Sequence, residues 1–115
     1  MRFSHSLKEN SMFRRLYAKG KSAASSYLVI YCRKNGSDQN RIGYTVSKKL
    51  GHAVVRNRVR RRLREIYRIH EEAFGQGWDL VVVARSRTVG APFAKLEHAF
   101  LSLSDKLGLL RQQEK

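Results

Sequence analysis

Cysteine occurs once in this chain of 115 residues, proline once, and acidic residues nine times against 24 Lys and Arg. The lone thiol, Cys32, excludes an internal disulfide framework and fits a reducing, cytoplasmic setting. It lies in the apolar run YLVIYC, where a small packed side chain is expected. The shortage of acids leaves a net charge of +15, more than solubility requires. The expected partner is therefore a polyanion: nucleic acid first, an anionic membrane surface second. The membrane reading is weak, because no segment approaches the roughly 20 apolar residues of a transmembrane helix. The N-terminal MRFSHSLKENSMF also lacks the apolar run of a signal peptide.

The constellations of a self-contained enzyme are missing too. His5, His52, His70 and His98 are scattered without metal-ligand spacing. Glu71 and Glu72 are adjacent, but neighbours on a helix point about 100° apart, so the pair reads as a solvated helix end. There is no phosphate-binding loop and no dinucleotide fingerprint. A nuclease acting alone is not expected, and no residue is assigned to a metal or to catalysis.

What the chain does have is enough apolar material, 42% of its residues, for one modest core. A single domain over residues 1–115 is expected, with RQQEK (111–115) as a short, frayed polar tail. Ser11 can cap a first helix carrying Met12, Phe13, Leu16 and Tyr17, which Gly20 would end. Residues Tyr27 to Arg33 read as a strand, with Tyr27, Val29 and Tyr31 on one face and Leu28, Ile30 and Cys32 on the other. The turn signal Asn35-Gly36 leads to RIGYTVS, so these two runs are expected to form an antiparallel hairpin. DLVVVAR reads as a central strand buried on both faces. Pro92 suits the first turn of a last helix with Phe93, Leu96, Phe100, Leu103 and Leu107 on one stripe, and Gly108 suits its end. The expected class is α+β, a mixed sheet of about four strands with three helices in the order α-β-β-(β)-α-β-α.

The densest signal is Lys48 to Arg68, where nine cations fall in 21 residues and Glu65 is the sole acid. Val55, Val59, Leu63 and Ile66 recur at intervals of four, four and three, a stripe that docks this helix along one edge. Asn57, Arg61, Arg64 and Arg68 fall opposite; Arg56 and Arg60 flank the stripe on one side, Arg58 and Arg62 on the other. Seven of the nine cations are Arg, whose planar fork suits phosphate oxygens and stacks on bases. Phe13, Tyr17 and the aromatic face of the first strand could stack unpaired bases beside it.

The chain resembles the bacterial ribonuclease P protein component. The resemblance rests on RIGYTVSKKLGHAVVRNRVRRRLREIYR, with Ser47-Lys48-Lys49 followed by Arg56-Asn57-Arg58, and extends to LKENSMFRRLYAKGK before it and DLVVVAR after it. It implies a protein subunit that partners a catalytic RNA and helps remove the 5′ leader of precursor tRNA by endonucleolytic hydrolysis. It also implies that Mg2+ is bound mainly by the RNA subunit, that the protein is inert alone, and that no further protein partner is required. By the same resemblance, Phe13, Tyr17 and Tyr31 match the leader-binding aromatics. Lys48, Lys49, Arg56, Asn57, Arg58, Arg60, Arg61, Arg62 and Arg64 match the basic motif that meets the catalytic RNA and tRNA phosphates, and Arg68 continues it. A left-handed crossover around the basic helix is implied as well. The competing reading is a ribosomal or RNA-chaperone-type protein using the same helix as structural glue.

Overall fold

The structure is a computed structural model that describes residues 4–6 and 10–111. Its strands are β1 (Ser4–Ser6), β2 (Lys21–Ala24), β3 (Leu28–Lys34), β4 (Asn40–Thr45) and β5 (Trp78–Ala84). Its helices are α1 (Asn10–Lys19), α2 (Ala53–His70) and α3 (Phe93–Lys106). From α1 onward the order is the one expected, and β1 precedes it as a short edge strand. Leu80, Val81 and Val82 are wholly buried. A strand with no polar face must be covered on both sides, and β5 takes the centre of a mixed sheet ordered β1-β4-β5-β3-β2.

That centre overturns the expected hairpin. The chain does reverse between β3 and β4, but the two strands do not pair: β5 lies between them, antiparallel to β3 and parallel to β4. The turn signal at Asn35-Gly36 sets direction, not partnership. Asn35 spends its side chain on the loop, accepting from the Ser37 amide at 2.9 Å and donating to the Gln39 carbonyl at 2.9 Å, so five residues separate the strands and leave room for a third. Because β4 and β5 are parallel, a crossover is required, and α2 is its helix.

One face of the sheet carries Leu28, Ile30, Cys32, Ile42, Leu80 and Val82, packed against α2 and α3. From α2 come Val59, Leu63, Ile66 and Tyr67, all buried, each worth about 1.5–3 kcal/mol by the area it removes from water. Val55, expected to begin the stripe, is only half-buried because it stands in the first turn. Tyr67, Phe74 and Phe100 form an aromatic knot, with Phe74 5.1 Å from Tyr67 and 5.7 Å from Phe100. His70 Nε2 lies 2.9 Å from Glu97 Oε2 and links α2 to α3. The other face carries Tyr31, Val81 and Val83 under Met12, Phe13 and Leu16 of α1.

Several local expectations are corrected. The first helix begins at Asn10, so Ser11 lies inside its first turn and is not the residue that precedes it. Tyr27 does not share a face with Tyr31. The strand starts only at Leu28, since the Ser25 hydroxyl accepts from the amides of Tyr27 and Leu28 in a turn, and Tyr27 packs toward the α3 side. The Glu71–Glu72 pair is not a wholly solvated helix end: α2 gives way to a 3₁₀ turn at Glu71–Ala73, and Glu71 is buried while Glu72 is exposed. Arg111 is not frayed: its amide donates to the Ala73 carbonyl at 2.7 Å and its Nε to the Phe74 carbonyl at 3.0 Å. The rest of the polar tail lies outside the described residues.

Two glycines act as expected, by different physics. Gly108 has φ +75° and closes α3 with paired bonds, its own amide to Asp105 and that of Leu109 to Ser104. Gly20 ends α1 where a Cβ would sit 2.6 Å from the Leu16 carbonyl oxygen and 2.8 Å from that of Cys32.

Candidate nucleic-acid interface

Beyond Ile42, β4 has no partner on its outer edge among the described residues, because β1 pairs only with Asn40 to Ile42. The gap so left is an open groove of about 580 Å³. Phe13, Arg14 and Tyr17 of α1 form one wall, Tyr44, Thr45 and Val46 the floor, and Arg60 of α2 the other wall. Helical spacing explains the first wall, since positions 13, 14 and 17 share a flank of α1 while Leu16 turns inward and is buried.

Register across the sheet places the supporting residues in rows on the α1 side: Thr45–Val83–Val29, Gly43–Val81–Tyr31 and Arg41–Asp79–Arg33. Tyr17 spans the first two rows. Its hydroxyl is 2.9 Å from Thr45 Oγ1, and its ring meets that of Tyr31 edge to face, with centroids 4.9 Å apart. Tyr17 remains 41% exposed, so Tyr31 props the ring while the ring stays available from the groove. Of the three expected stacking residues, Phe13 and Tyr17 line the groove and Tyr31 stands behind Tyr17.

Tyr44 was not singled out from the sequence. Its position in RIGYTVS alternates with Ile42 and Val46 and reads as core, and only its place at the sheet end exposes part of it. Burial pushes its hydroxyl well above the ordinary phenol range, with Tyr67 adding to the shift and Arg64 opposing it. It is therefore neutral at physiological pH, and the Arg64 guanidinium sits 6.0 Å from its ring centroid. Arg14, Thr45 and Val46 were also missed; Arg14 carried a signal, as a cation three residues before Tyr17 on a helix.

The basic residues separate by what they already touch. Lys48 and Lys49 stand exposed on a 3₁₀ turn capped by Ser47, whose hydroxyl accepts from the Lys49 amide at 3.2 Å. Asn57, Arg58, Arg61 and Arg64 are exposed along α2, and the Asn57 side-chain oxygen accepts from Arg60 Nη1 at 3.3 Å. Arg56 is half-buried, and its Nε is buried without a hydrogen-bond partner. Arg62 is committed elsewhere, its Nη2 donating to the Ala91 carbonyl in the loop before α3. Arg68 is neutralised by Glu65 through two hydrogen bonds, 2.9 Å from Nε and 2.5 Å from Nη2. The Arg68 hydrogen bond holds the Glu65 carboxyl below its usual range. The nine-cation segment is thus not one uniform surface: Lys48, Lys49, Arg58 and Arg61 face solvent, Arg62 is tied to the loop before α3, and Arg68 is paired with Glu65 on the surface of its own helix.

Cys32 is buried and unpaired, and burial raises its thiol pKa while Lys21 opposes the shift. Among the described residues, no three His, Cys, Asp or Glu come together in a way that could hold a metal ion, and no helix is long and apolar enough to cross a membrane.

A ribonuclease P family model matches residues 1–108. The ribonuclease P protein component of Alkaliphilus oremlandii is 44% identical over 110 residues, covering 96% of both chains. That of Clostridioides difficile is 46% identical over 98 residues, covering 84% of this chain and 86% of the relative. Among solved structures, the RNase P protein of Staphylococcus aureus superposes with a TM-score of 0.85 at 30% identity, covering 93% of this chain and 98% of that one. The RNase P protein of Thermotoga maritima gives 0.82 at 31% identity, covering 89% and 96%.

Proposed function

This chain belongs to the family of bacterial ribonuclease P protein components, and on that premise we propose that its groove holds the single-stranded 5′ leader of precursor tRNA while α2 grips the catalytic RNA. The observation that carries the reading is the pairing of a propped, accessible aromatic, Tyr17 on Tyr31, with Arg60 of the cationic helix across one groove. Bases of any sequence have a stacking face, so the aromatics add affinity of about 1–3 kcal/mol per base without reading sequence. Arg60 and Arg14 on the groove walls suit the backbone phosphates that run beside stacked bases. Mature tRNA has no leader to place there, and discrimination between substrate and product follows.

The described residues offer no donor set for a catalytic metal, and no step of the hydrolysis is assigned to this chain. Magnesium in this reading is held mainly by the RNA subunit, and the protein contributes by binding, placing and screening RNA. Lowering the RNA's self-repulsion with Lys48, Lys49, Arg58 and Arg61 would reduce the magnesium that the complex requires.

Reconstitution tests this directly. The purified protein should cleave nothing alone and should restore cleavage of precursor tRNA to a cognate catalytic RNA at low magnesium. Absence of stimulation would overturn the proposal. Equal binding of precursor and mature tRNA by the complex would favour structural glue over leader recognition.

A further inference from the structure

On the flank of α1 opposite the groove, Met12, Arg15 and Leu16 close a second, more enclosed pocket of about 130 Å³ over the end of the sheet. At roughly 30 Å³ per water it has room for about four waters, too little for a nucleoside and enough for one tetrahedral oxyanion. Its rim is cationic. Arg15, Arg33, Lys34 and Arg41 line it with a single acid, Asp79.

That acid is already satisfied. Arg41 holds Asp79 through both oxygens at 2.7 Å, and Asn35 Nδ2 donates to Oδ1 at 3.0 Å. Arg33 is the cross-strand neighbour of Asp79 on β3, as Arg41 is on β4. Yet Arg33 makes no hydrogen bond or ion pair among the described residues, and neither does Arg15; both are exposed. Lys34 is steadied 5.6 Å from the Trp78 ring centroid, which orients the stem and leaves the ammonium without an acid. The carboxylate thus fixes one arginine as part of the wall and leaves three cations around a cavity of phosphate size. Like charges so placed repel unless an anion joins them.

We propose that this pocket is a second phosphate-binding site, seating one RNA backbone phosphodiester between Arg15, Arg33 and Lys34, with Arg41 held in place by Asp79. The proposal rests on the assignment of the chain's partner as RNA but not on the leader's occupying the groove. The two sites lie on opposite flanks of α1, so a strand that filled both would have to pass around the helix. The phosphodiester comes either from a leader extended beyond the groove or from the catalytic RNA itself.

The test measures the protein's affinity for cognate catalytic RNA and, in the reconstituted complex, affinity for mature tRNA, for a precursor whose leader just reaches the groove, and for one several nucleotides longer. The variant is the Arg15→Gln, Arg33→Gln double substitution, with Arg33→Lys as the conservative control. Loss of one single-strand phosphate contact lowers the salt slope by about 0.7, or about fourfold in affinity near 0.15 M salt. A loss confined to the extended precursor assigns the phosphodiester to the leader. A loss in affinity for the catalytic RNA, equal for all substrates, assigns it to that RNA. Wild-type affinity and slope in every arm would overturn the site. Should the double variant melt early, Lys34→Gln reads the same arms with less disturbance to the sheet. Tyr17→Ala, run in parallel, reports on the groove alone: if it leaves the short-leader precursor unaffected while the double variant still weakens RNA binding, the leader reading fails and the second site stands.

Discussion

The hydroxyls of Tyr17 and Thr45, 28 residues apart in sequence, meet at 2.9 Å and tie the outer helix α1 to the end of β4. The same Tyr17 ring rests edge-on against Tyr31. Hydrogen bond and ring contact have separable consequences. Tyr17→Phe keeps the ring and should cost about 0.5 kcal/mol of stability, the low end for a hydrogen bond at an exposed site, with precursor binding nearly unchanged. Tyr17→Ala should weaken precursor binding by about 1–3 kcal/mol and mature tRNA binding little, as read by paired equilibrium titrations.

The arginines of α2 should divide into two classes when RNA affinity is measured against salt. If the interface neutralises about six to ten phosphates, affinity should fall by about 10³ to 10⁵ between roughly 50 and 200 mM monovalent salt. Arg58→Gln or Arg61→Gln should make that dependence shallower by about 0.7–0.9 per contact. Arg62→Gln should leave the slope alone and lower the melting temperature, because its guanidinium serves the Ala91 carbonyl. A slope change at Arg62 equal to that at Arg58 would contradict this division.

Leu63 is wholly buried at the middle of the stripe that docks α2. Leu63→Ala should destabilise the fold by about 2–5 kcal/mol in denaturant titrations. Because the loss acts through the docking of α2, RNA affinity should recover at temperatures where the variant is folded.

Gly20→Ala should also destabilise, since the added methyl would meet two carbonyl oxygens within 2.8 Å. Both belong to backbone, of the helix it ends and of β3, so relief requires α1 to shift from the sheet. The measurable signature is a lower melting temperature together with weaker leader binding, because α1 carries Phe13 and Tyr17.

Cys32 should resist thiol reagents at neutral pH in the native protein and react at once in denaturant. Burial raises its pKa, so the unfolded thiol ionises at a lower pH than the folded one. The sign follows: its contribution to stability is complete below the unfolded pKa and is lost as pH rises through the folded value. Stability measured against pH should decline on the alkaline side, less so in Cys32→Ala.

The sequence carried the elements better than their assembly. The stripe of Val59, Leu63 and Ile66, the buried run Leu80 to Val82 and the glycine at 108 each behave as local physics requires, because each signal is complete within a few residues. The pairing of β3 with β5 was not legible, since a turn signal reports that the chain reverses and says nothing of a strand that begins only at Trp78. At the site, Phe13, Tyr17 and the free cations of α2 could be read, but the division among the arginines could not. Arg62 and Arg58 are both arginines flanking one stripe, and only the distant Ala91 carbonyl makes one of them part of the frame. Tyr44 was hidden by its own alternation, which marks a core residue until the sheet is seen to end there.

The insertion of β5 between β3 and β4 also sets an order of events. Every residue lining the groove, from Phe13 to Arg60, is synthesised before Trp78, yet β4 has no neighbour toward β3 until β5 arrives. Pairings of such long sequence separation form slowly, and during synthesis the cationic helix, which ends at His70, is complete just before the strand that fixes its place begins at Trp78. A newborn chain can therefore attract RNA by charge before its groove has a shape, and completion of the sheet's middle turns a diffuse cationic segment into a defined surface.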